Sequence, residues 1–450
     1  MKNILFTLVL WLFTFTASAQ QSWQVVGEGN DFPEDSGYGL TVGGGAFTID
    51  NNGTPYIVYS SLSSEYNIVV MKFENNSWQY VGDMFYVNTS FISASMAFDN
   101  NNTPYLAYSD FSNSSVIMVK KLENGIWQNV GTGAVSSNWS GGCVLVFDNN
   151  DVPYLFYAEG SDSGKATVKK FENDSWQVVG QAGFSMGQLH FTSMAIDGNN
   201  IPYVAYIDEE NVNNIYVKKF ENGSWQTVGN ETDISMPNAP SINQIFIGNN
   251  NIPYIAYSLE NLIFKKYENN EWQTVQTVFV ETSGTVSCAM YDDILYIAYT
   301  DGENNNKATV KKYENESWQT VGVAGFSEDI AFNIKLAINI NGIPYVAFRD
   351  FVNDHRITVM KYDSTMDIDN NIMLNNVLLY PNPANHFVTI SNVPDNSTIK
   401  VFDITGKLIY STQANQQIII NTEGFSEGIY LIQFINNQQT VVKKLIVNKH

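Results

Sequence analysis

A tryptophan returns seven times along the chain at nearly even intervals: Trp23, Trp78, Trp127, Trp176, Trp225, Trp272 and Trp318, mostly within W-Q-x-V-G. A tyrosine, usually after proline, keeps step with it at Tyr56, Tyr105, Tyr154, Tyr203, Tyr254, Tyr296 and Tyr345. A K-F/Y-E-N pattern follows at Lys72, Lys121, Lys170, Lys219, Lys266 and Lys312, and fades at Lys361-Tyr362-Asp363. The period of about 49 residues is that of a small antiparallel sheet, which cannot bury its aromatic faces alone and must stack against its copies.

The fourth copy resolves into four strands: Ser193–Asp197, Tyr203–Asp208, Ile215–Glu221 and Trp225–Gly229. Asn222-Gly223-Ser224 joins the last two, and Asn-Gly supplies the positive φ of a tight hairpin. No segment carries a 3.6-residue apolar period, so helix is expected to be nearly absent. The reading is all-β: a seven-bladed β-propeller of four-stranded antiparallel blades over residues 20–363, with a small C-terminal β-sandwich. The chain enters with a fourth-strand motif at Trp23 and leaves with an unpartnered third strand at Tyr362. Pairing Gln24–Gly27 with Ile357–Tyr362 closes the ring and hides two strand edges. The recurrent Trp and Tyr residues are expected to be wedges between blades, each burying roughly 150–250 Å².

Residues 1–19 read as a signal peptide: Lys2, an apolar run from Ile4 to Phe15, and Ala17-Ser18-Ala19 before the cut. No later segment is long and apolar enough for a transmembrane helix. The net charge of −22 and the lack of any basic block argue against nucleic acid as a partner. Cys143 and Cys288 fall on blades three apart, too far for a disulfide, and are expected to be buried thiols.

Residues 364–376 read as a polar linker, and a new pattern occupies 377–450. Short strands are expected at Val388–Ile390, Thr398–Asp403, Lys407–Ser411, Gln417–Asn421, Gly428–Ile435 and Val441–Val447. Y-P-N-P-A runs over Tyr380, Pro381, Asn382, Pro383 and Ala384, and V-F-D-I-T-G-K holds Asp403, Gly406 and Lys407. G-I-Y holds Gly428 and Tyr430, and the closing K-K-L-I-V-N-K begins at Lys443 and Lys444. In this order the motifs resemble the type A sorting domain of the Bacteroidetes type IX secretion system. The resemblance implies a partnership with that secretion machinery, passage across the outer membrane, and release or attachment at the cell surface. The repeats are also similar to those of secreted Bacteroidetes propellers carrying W-x-x-V-G and V-K-K-F-E-N-G-S-W, a likeness that carries no residue-level function.

Candidate ligand residues lie where second strands meet the following loop: Asp110, Glu159, Asp208, Asp301 and Asp350, a ring able to accept sugar hydroxyls or a cation. Asp50, Asp99, Asp148 and Asp197 open D-N-N-type turns on the other face, where Asx turns explain them better than Ca²⁺. The chain's two arginines, Arg349 and Arg356, are expected to face each other across one hairpin with Asp350, Asp354 and His355, an arrangement suited to carboxylate or phosphate. A sialidase-like site needs a third arginine, and a copper site needs more histidines than His190 and His355. No Ser-His-Asp set, phosphate loop or Cys/His metal spacing is present, so no catalytic residue, cofactor or metal is assigned. The expected function is that of a monomeric, non-catalytic binding or adhesion module for extracellular glycan or protein. The alternative is a polysaccharide-active glycoside hydrolase or lyase using paired carboxylates. Deleting residues 20–28 is expected to open the ring and lower its melting transition; a calorimetric scan matching that of the intact chain would refute this closure.

Overall fold

The computed structural model describes residues 22–28, 31–34, 36, 40, 46–61, 67–87, 93–211, 214–230, 234, 241–258, 261–278, 282–363, 377–436 and 439–449. The expected signal peptide at 1–19 and the linker at 364–376 lie outside them. The described residues divide into two compact units, one within 21–364 and one within 365–450.

The described residues of the larger unit form seven antiparallel sheets. Sheet 1 comprises Ala46–Ile49, Pro55–Ser60, Asn67–Glu74 and Ser77–Tyr80, with Phe85–Tyr86 added beside the third strand. Sheets 2 to 6 span 94–129, 141–178, 189–227, 241–278 and 282–320. Sheet 7 takes Ala331–Ile338, Pro344–Asp350 and Ile357–Asp363, and its fourth strand is Ser22–Val25 from the start of the chain. Trp23 lies opposite Tyr362 and Val25 opposite Met360, so the N-terminal strand pairs where its motif predicts. The seven first strands touch one another in cyclic order, and that of sheet 7 returns to that of sheet 1.

The hairpin turns before the Trp strands take positive φ at both central residues, as at Asn75 and Asn76, Asn173 and Asp174, and Asn222 and Gly223. This is the backbone that the recurrent Asn favours. Seven buried apolar clusters follow, one in each seam between consecutive sheets. Cys143 and Cys288 are free and buried in two of them, and burial pushes the Cys143 thiol up to about 11.

The tryptophans do more than fill space. Trp23 Nε1 donates to Val321 O, Trp78 to Val26 O, Trp127 to Val81 O, Trp176 to Val130 O, Trp225 to Val179 O and Trp272 to Val228 O, all at 2.8–2.9 Å. Each acceptor is the valine of W-Q-x-V-G in the preceding sheet. The glycine after it bends away with positive φ, and the incoming indole packs over its bare Cα. A Cβ at Gly82 would sit 2.7 Å from the Trp127 ring. Sheet 5 departs from the motif because Gln276 replaces that glycine. Its fourth strand therefore continues to Val278, Val275 falls in a bulge, and buried Trp318 Nε1 has no hydrogen-bond partner.

The smaller unit corrects the sandwich expected from sequence. It is one five-stranded sheet of Leu378–Tyr380, Phe387–Asp403, Leu408–Asn421, Gly428–Asn436 and Gln439–Val447. The separate strands expected at 388–390 and 398–403 are one strand, as are those at 407–411 and 417–421. Register shifts at Ser391/Val393 and Val393/Ser397 let the long strand bend without breaking its ladder. Its first half pairs with Leu378–Tyr380 and its second half with Gly428–Asn436. Val388, Ile390, Ile399 and Val401 from both halves enter one core with Ile432, Phe434 and Leu445. A parallel bridge from Ala384 to Val447 brings the first segment beside the last strand, so the sheet nearly closes on itself.

Trp176 and Trp318 differ chiefly in the indole–carbonyl bond. Trp176→Phe strands the buried Val130 carbonyl, whereas Trp318→Phe removes no bond. Denaturant unfolding is expected to show Trp176→Phe more destabilising than Trp318→Phe by about 1–3 kcal/mol.

Candidate functional site

The carboxylates at the ends of the second strands cap the loops that follow them. Asp110 accepts from Ser112 N at 3.0 Å, and Glu159 accepts from the Ser161 hydroxyl and the Tyr157 hydroxyl, both at 3.0 Å. Asp208 accepts from Met186 N and Gly187 N at 2.9 and 2.8 Å, and from Glu210 N. Asp301 holds the Thr309 hydroxyl at 2.6 Å and Asn304 Nδ2 at 2.9 Å. Asp350 holds the Thr358 hydroxyl at 3.0 Å and Val352 N at 3.2 Å. Four of the five are buried, with Asp110 half-buried. Their hydrogen bonds run to their own loop, to a neighbouring loop, or to hydroxyls on the second and third strands of the same sheet. Among the described residues no group of three or more His, Cys, Asp or Glu side chains is placed to hold a metal ion.

Sheet 7 revises the arginine pair. Arg349 stands opposite Ile357 in the ladder, while Asp350 N bonds Arg356 O, so the two arginines project from opposite faces of the sheet. The Arg349 guanidinium lies 5.1 Å from the centre of the Phe332 ring. Arg356 reaches away to Phe32 O at 2.9 Å and Glu34 Oε1 at 3.0 Å, with Asp354 at 3.8 Å. His355 packs edge-on against Phe351. A clamp built from both guanidinium groups is therefore not formed; alternation along the strand separates them.

On the opposite face the D-N-N turns serve as fasteners. Asp50 Oδ1 accepts from Asn52 N and Thr54 N, and Asp148 and Asp197 repeat the pattern; Asp99 Oδ1 accepts from Thr103 N. Each turn also reaches its neighbour, as Asn51 N donates to Asn102 Oδ1 at 2.9 Å and Asn149 N to Asn200 Oδ1 at 2.9 Å.

The loop face carries residues that the repeat did not reveal. Phe111, Trp139, Phe191 and Phe351 all expose between 40% and 51% of their surface there. Trp139 sits between the loops of sheets 2 and 3, where its neighbour Ser140 bonds Ser115 O and Gly160 N. Its carbonyl crowds Gly160 so closely that no side chain fits at that position. Phe111 and Phe351 each follow a capping aspartate, and Phe191 lies at a bulge in a first strand with φ of 50°. One signal was available: Trp139 is the single tryptophan outside both the leader and the repeat. Such flat apolar surfaces beside polar loops suit stacking against ligand rings.

In the smaller unit the motif residues hold the sheet together. Asn382 Nδ2 donates to Lys444 O at 2.8 Å and its Oδ1 accepts from Ile446 N at 2.9 Å, so Y-P-N-P-A clasps the last strand. Asp403 Oδ1 gathers Thr405 N, the Thr405 hydroxyl and Lys407 N, which together hold its carboxyl below the usual range. Gly406 turns with φ of 83°, Tyr430 donates to Ser426 O, and Lys443 Nζ reaches Val377 O. Residues 378–448 match the secretion system C-terminal sorting domain. The sorting domain marks the chain for type IX secretion to the cell surface or beyond. No described helix is long and apolar enough to cross a membrane.

The chain is 35% identical over 88 residues to an endo-acting ulvan lyase of Formosa agariphila, a stretch covering 18% of this chain and 17% of that protein. It thus spans about a sixth of that relative's length. A solved ulvan lyase of a polysaccharide lyase family superposes with a TM-score of 0.53 at 12% identity, over 74% of this chain and 94% of that one. This likeness concerns the fold. The surface component PorZ of the Porphyromonas gingivalis type IX secretion system gives a TM-score of 0.45 at 14% identity, over 92% of this chain and 59% of that one.

Burial raises the pKa of Asp350, and Glu328 adds to the shift, while the bonds from Thr358 and Val352 oppose it. Between the ordinary carboxyl value and the raised one, the folded protein keeps a proton that the unfolded chain has released. Stability therefore falls as pH rises through that window and stays lowered above it. Asp350→Asn keeps an acceptor for Thr358 but removes the titration. Its stability relative to wild type is expected to be higher near pH 7 than near pH 3.5, read from denaturation curves at the two values.

Proposed function

We propose that residues 20–363 form a seven-bladed β-propeller that acts, once exported, as a non-catalytic binding module for extracellular polysaccharide. The observation that carries this reading is the set of exposed aromatic rings on the loop face. Stability alone would favour burying or replacing such rings, and here they stand above short, well-capped loops that fix their positions. Aromatic faces of this kind stack on the C–H faces of sugar rings, with the neighbouring loop hydroxyls and carboxylates as hydrogen-bond partners. Asp110, Glu159, Asp208, Asp301, Asp350 and Asp354, with Arg349, His355 and Arg356, remain the polar candidates on this face. Secretion by the type IX route brings the module to the outside, where such polymers occur.

A lyase or hydrolase is the second reading, favoured by the fold likeness to a polysaccharide lyase. Against it, the described second-strand carboxylates spend their oxygens on loop amides and hydroxyls. Affinity electrophoresis of the full chain in gels cast with ulvan, alginate or xylan separates the two. Retardation by at least one polymer without release of unsaturated or reducing ends is expected. Trp139→Ala and Phe111→Ala should each weaken retardation about tenfold, equivalent to about 1.4 kcal/mol. Product formation would replace this reading with the enzymatic one, and retardation unaffected by both substitutions would remove the loop face from the site.

A further inference from the structure

Five of the seams between sheets are fastened by one side chain of the D-N-N turn. Asn102, Asp151, Asn200, Asn251 and Asp293 each accept, through a side-chain oxygen, a backbone N–H from the preceding turn at 2.7–2.9 Å. At the two remaining seams that place is taken by a glycine, Gly342 between sheets 6 and 7 and Gly53 between sheets 7 and 1, with φ of 74° and 85°. The Tyr291 ring lies beneath Gly342, so close that a Cβ would stand 2.9 Å away, and the Tyr291 hydroxyl bonds Ile340 O at 3.0 Å instead. Beside Gly342 lies a cavity of about 340 Å³ lined by Tyr296, Lys312, Gln319, Asn341, Gly342 and Tyr362.

Several polar groups that line this cavity are open to a ligand. Gln79, Gln177 and Gln226, in the same place on other sheets, donate to a strand carbonyl at 3.1–3.2 Å. The carboxamides of Gln319 and Asn341 and the Tyr296 hydroxyl make no hydrogen bond within the described residues. Lys312 spends one ammonium proton on Glu314 at 2.6 Å, which leaves two donors and cancels the local charge. The set offers donors and acceptors in balance, no net charge, and two tyrosine rings.

We propose that this cavity is a binding site for a single neutral sugar ring, separate from the loop face. Balanced amides, a hydroxyl and an ammonium match a polyhydroxylated ligand, whose hydroxyls both donate and accept. The tyrosine rings supply surface for its C–H groups. An anionic ligand finds Lys312 already paired and meets a chain of net charge −22. The volume lies at the small end of ligand pockets, the range for one ring rather than a chain.

Saturation-transfer NMR on the full chain tests this, with methyl pyranosides of glucose, galactose, mannose, rhamnose, fucose and xylose as probes and methyl glucuronide as the anionic comparator. At least one neutral probe is expected to bind with a millimolar Kd, and glucuronide more weakly. Gln319→Ala, on an exposed part of a fourth strand, and Tyr296→Phe should each weaken binding about tenfold. Trp139→Ala should leave it unchanged, so this site and the loop face fail separately. Absence of transfer to every neutral probe at tens of millimolar, preference for glucuronide, or full binding in the combined Gln319→Ala, Tyr296→Phe variant would overturn the proposal.

Discussion

An indole N–H given to a carbonyl one sheet back is the contact on which the larger unit depends. It joins two requirements that separate elements usually meet. The ring fills the seam, and the donated bond satisfies the carbonyl left over where each fourth strand stops at Val-Gly. The same bond constrains the spacing between sheets, because the indole must bring its Cδ1–Nε1 edge against a glycine to reach its acceptor. One motif therefore ends a strand, opens a bed for the next sheet's aromatic ring and specifies how closely that sheet approaches. Sheet 5, lacking the glycine, loses strand end, bed and bond together, which leaves the Trp318 indole N–H buried without an acceptor.

The two faces of the unit divide the remaining work. On one, Asx turns bond within themselves and then to the adjacent turn, which draws five seams together with short polar contacts. On the other, capped loops carry exposed aromatic rings and acids. Polar residues dominate the first face because turn geometry uses them there. The exposed aromatic rings on the second take no part in turn geometry, and that contrast is what motivates the proposed binding surface.

Much of the fold was legible because repetition averages over local ambiguity: seven Trp positions, seven Tyr positions and the Asn turns mark the same strands. The closing strand was readable for the same reason, since Trp23 belongs to a motif whose other strands stand at the far end of the chain. The sorting domain was legible by motif but not by shape. Ser391 to Ser397 looks like a loop in composition, yet bulges carry the strand through it, and period-two patterning cannot show a bend that keeps its ladder. The site was least legible. Whether Arg349 and Arg356 meet depends on strand parity, and Arg356 is drawn off by Phe32 and Glu34, residues far away in sequence. Trp139 stands outside the repeat and was overlooked among tryptophans that belong to it. Gly342 looks like a routine turn glycine until the cavity beside it is seen.

Because Ser22–Val25 completes the sheet formed by Ile357–Asp363, the first and last segments of the unit are hydrogen-bonded neighbours. Loop-closure entropy rises only slowly with length, so joining ends more than three hundred residues apart is thermodynamically modest. In time it is demanding. A partly synthesised or partly threaded chain has an unpaired strand at each end and cannot resolve either until the final sheet arrives. Any escort that keeps those edges apart from other copies must act across the whole interval, and maturation becomes a single late event rather than a gradual accumulation of finished sheets.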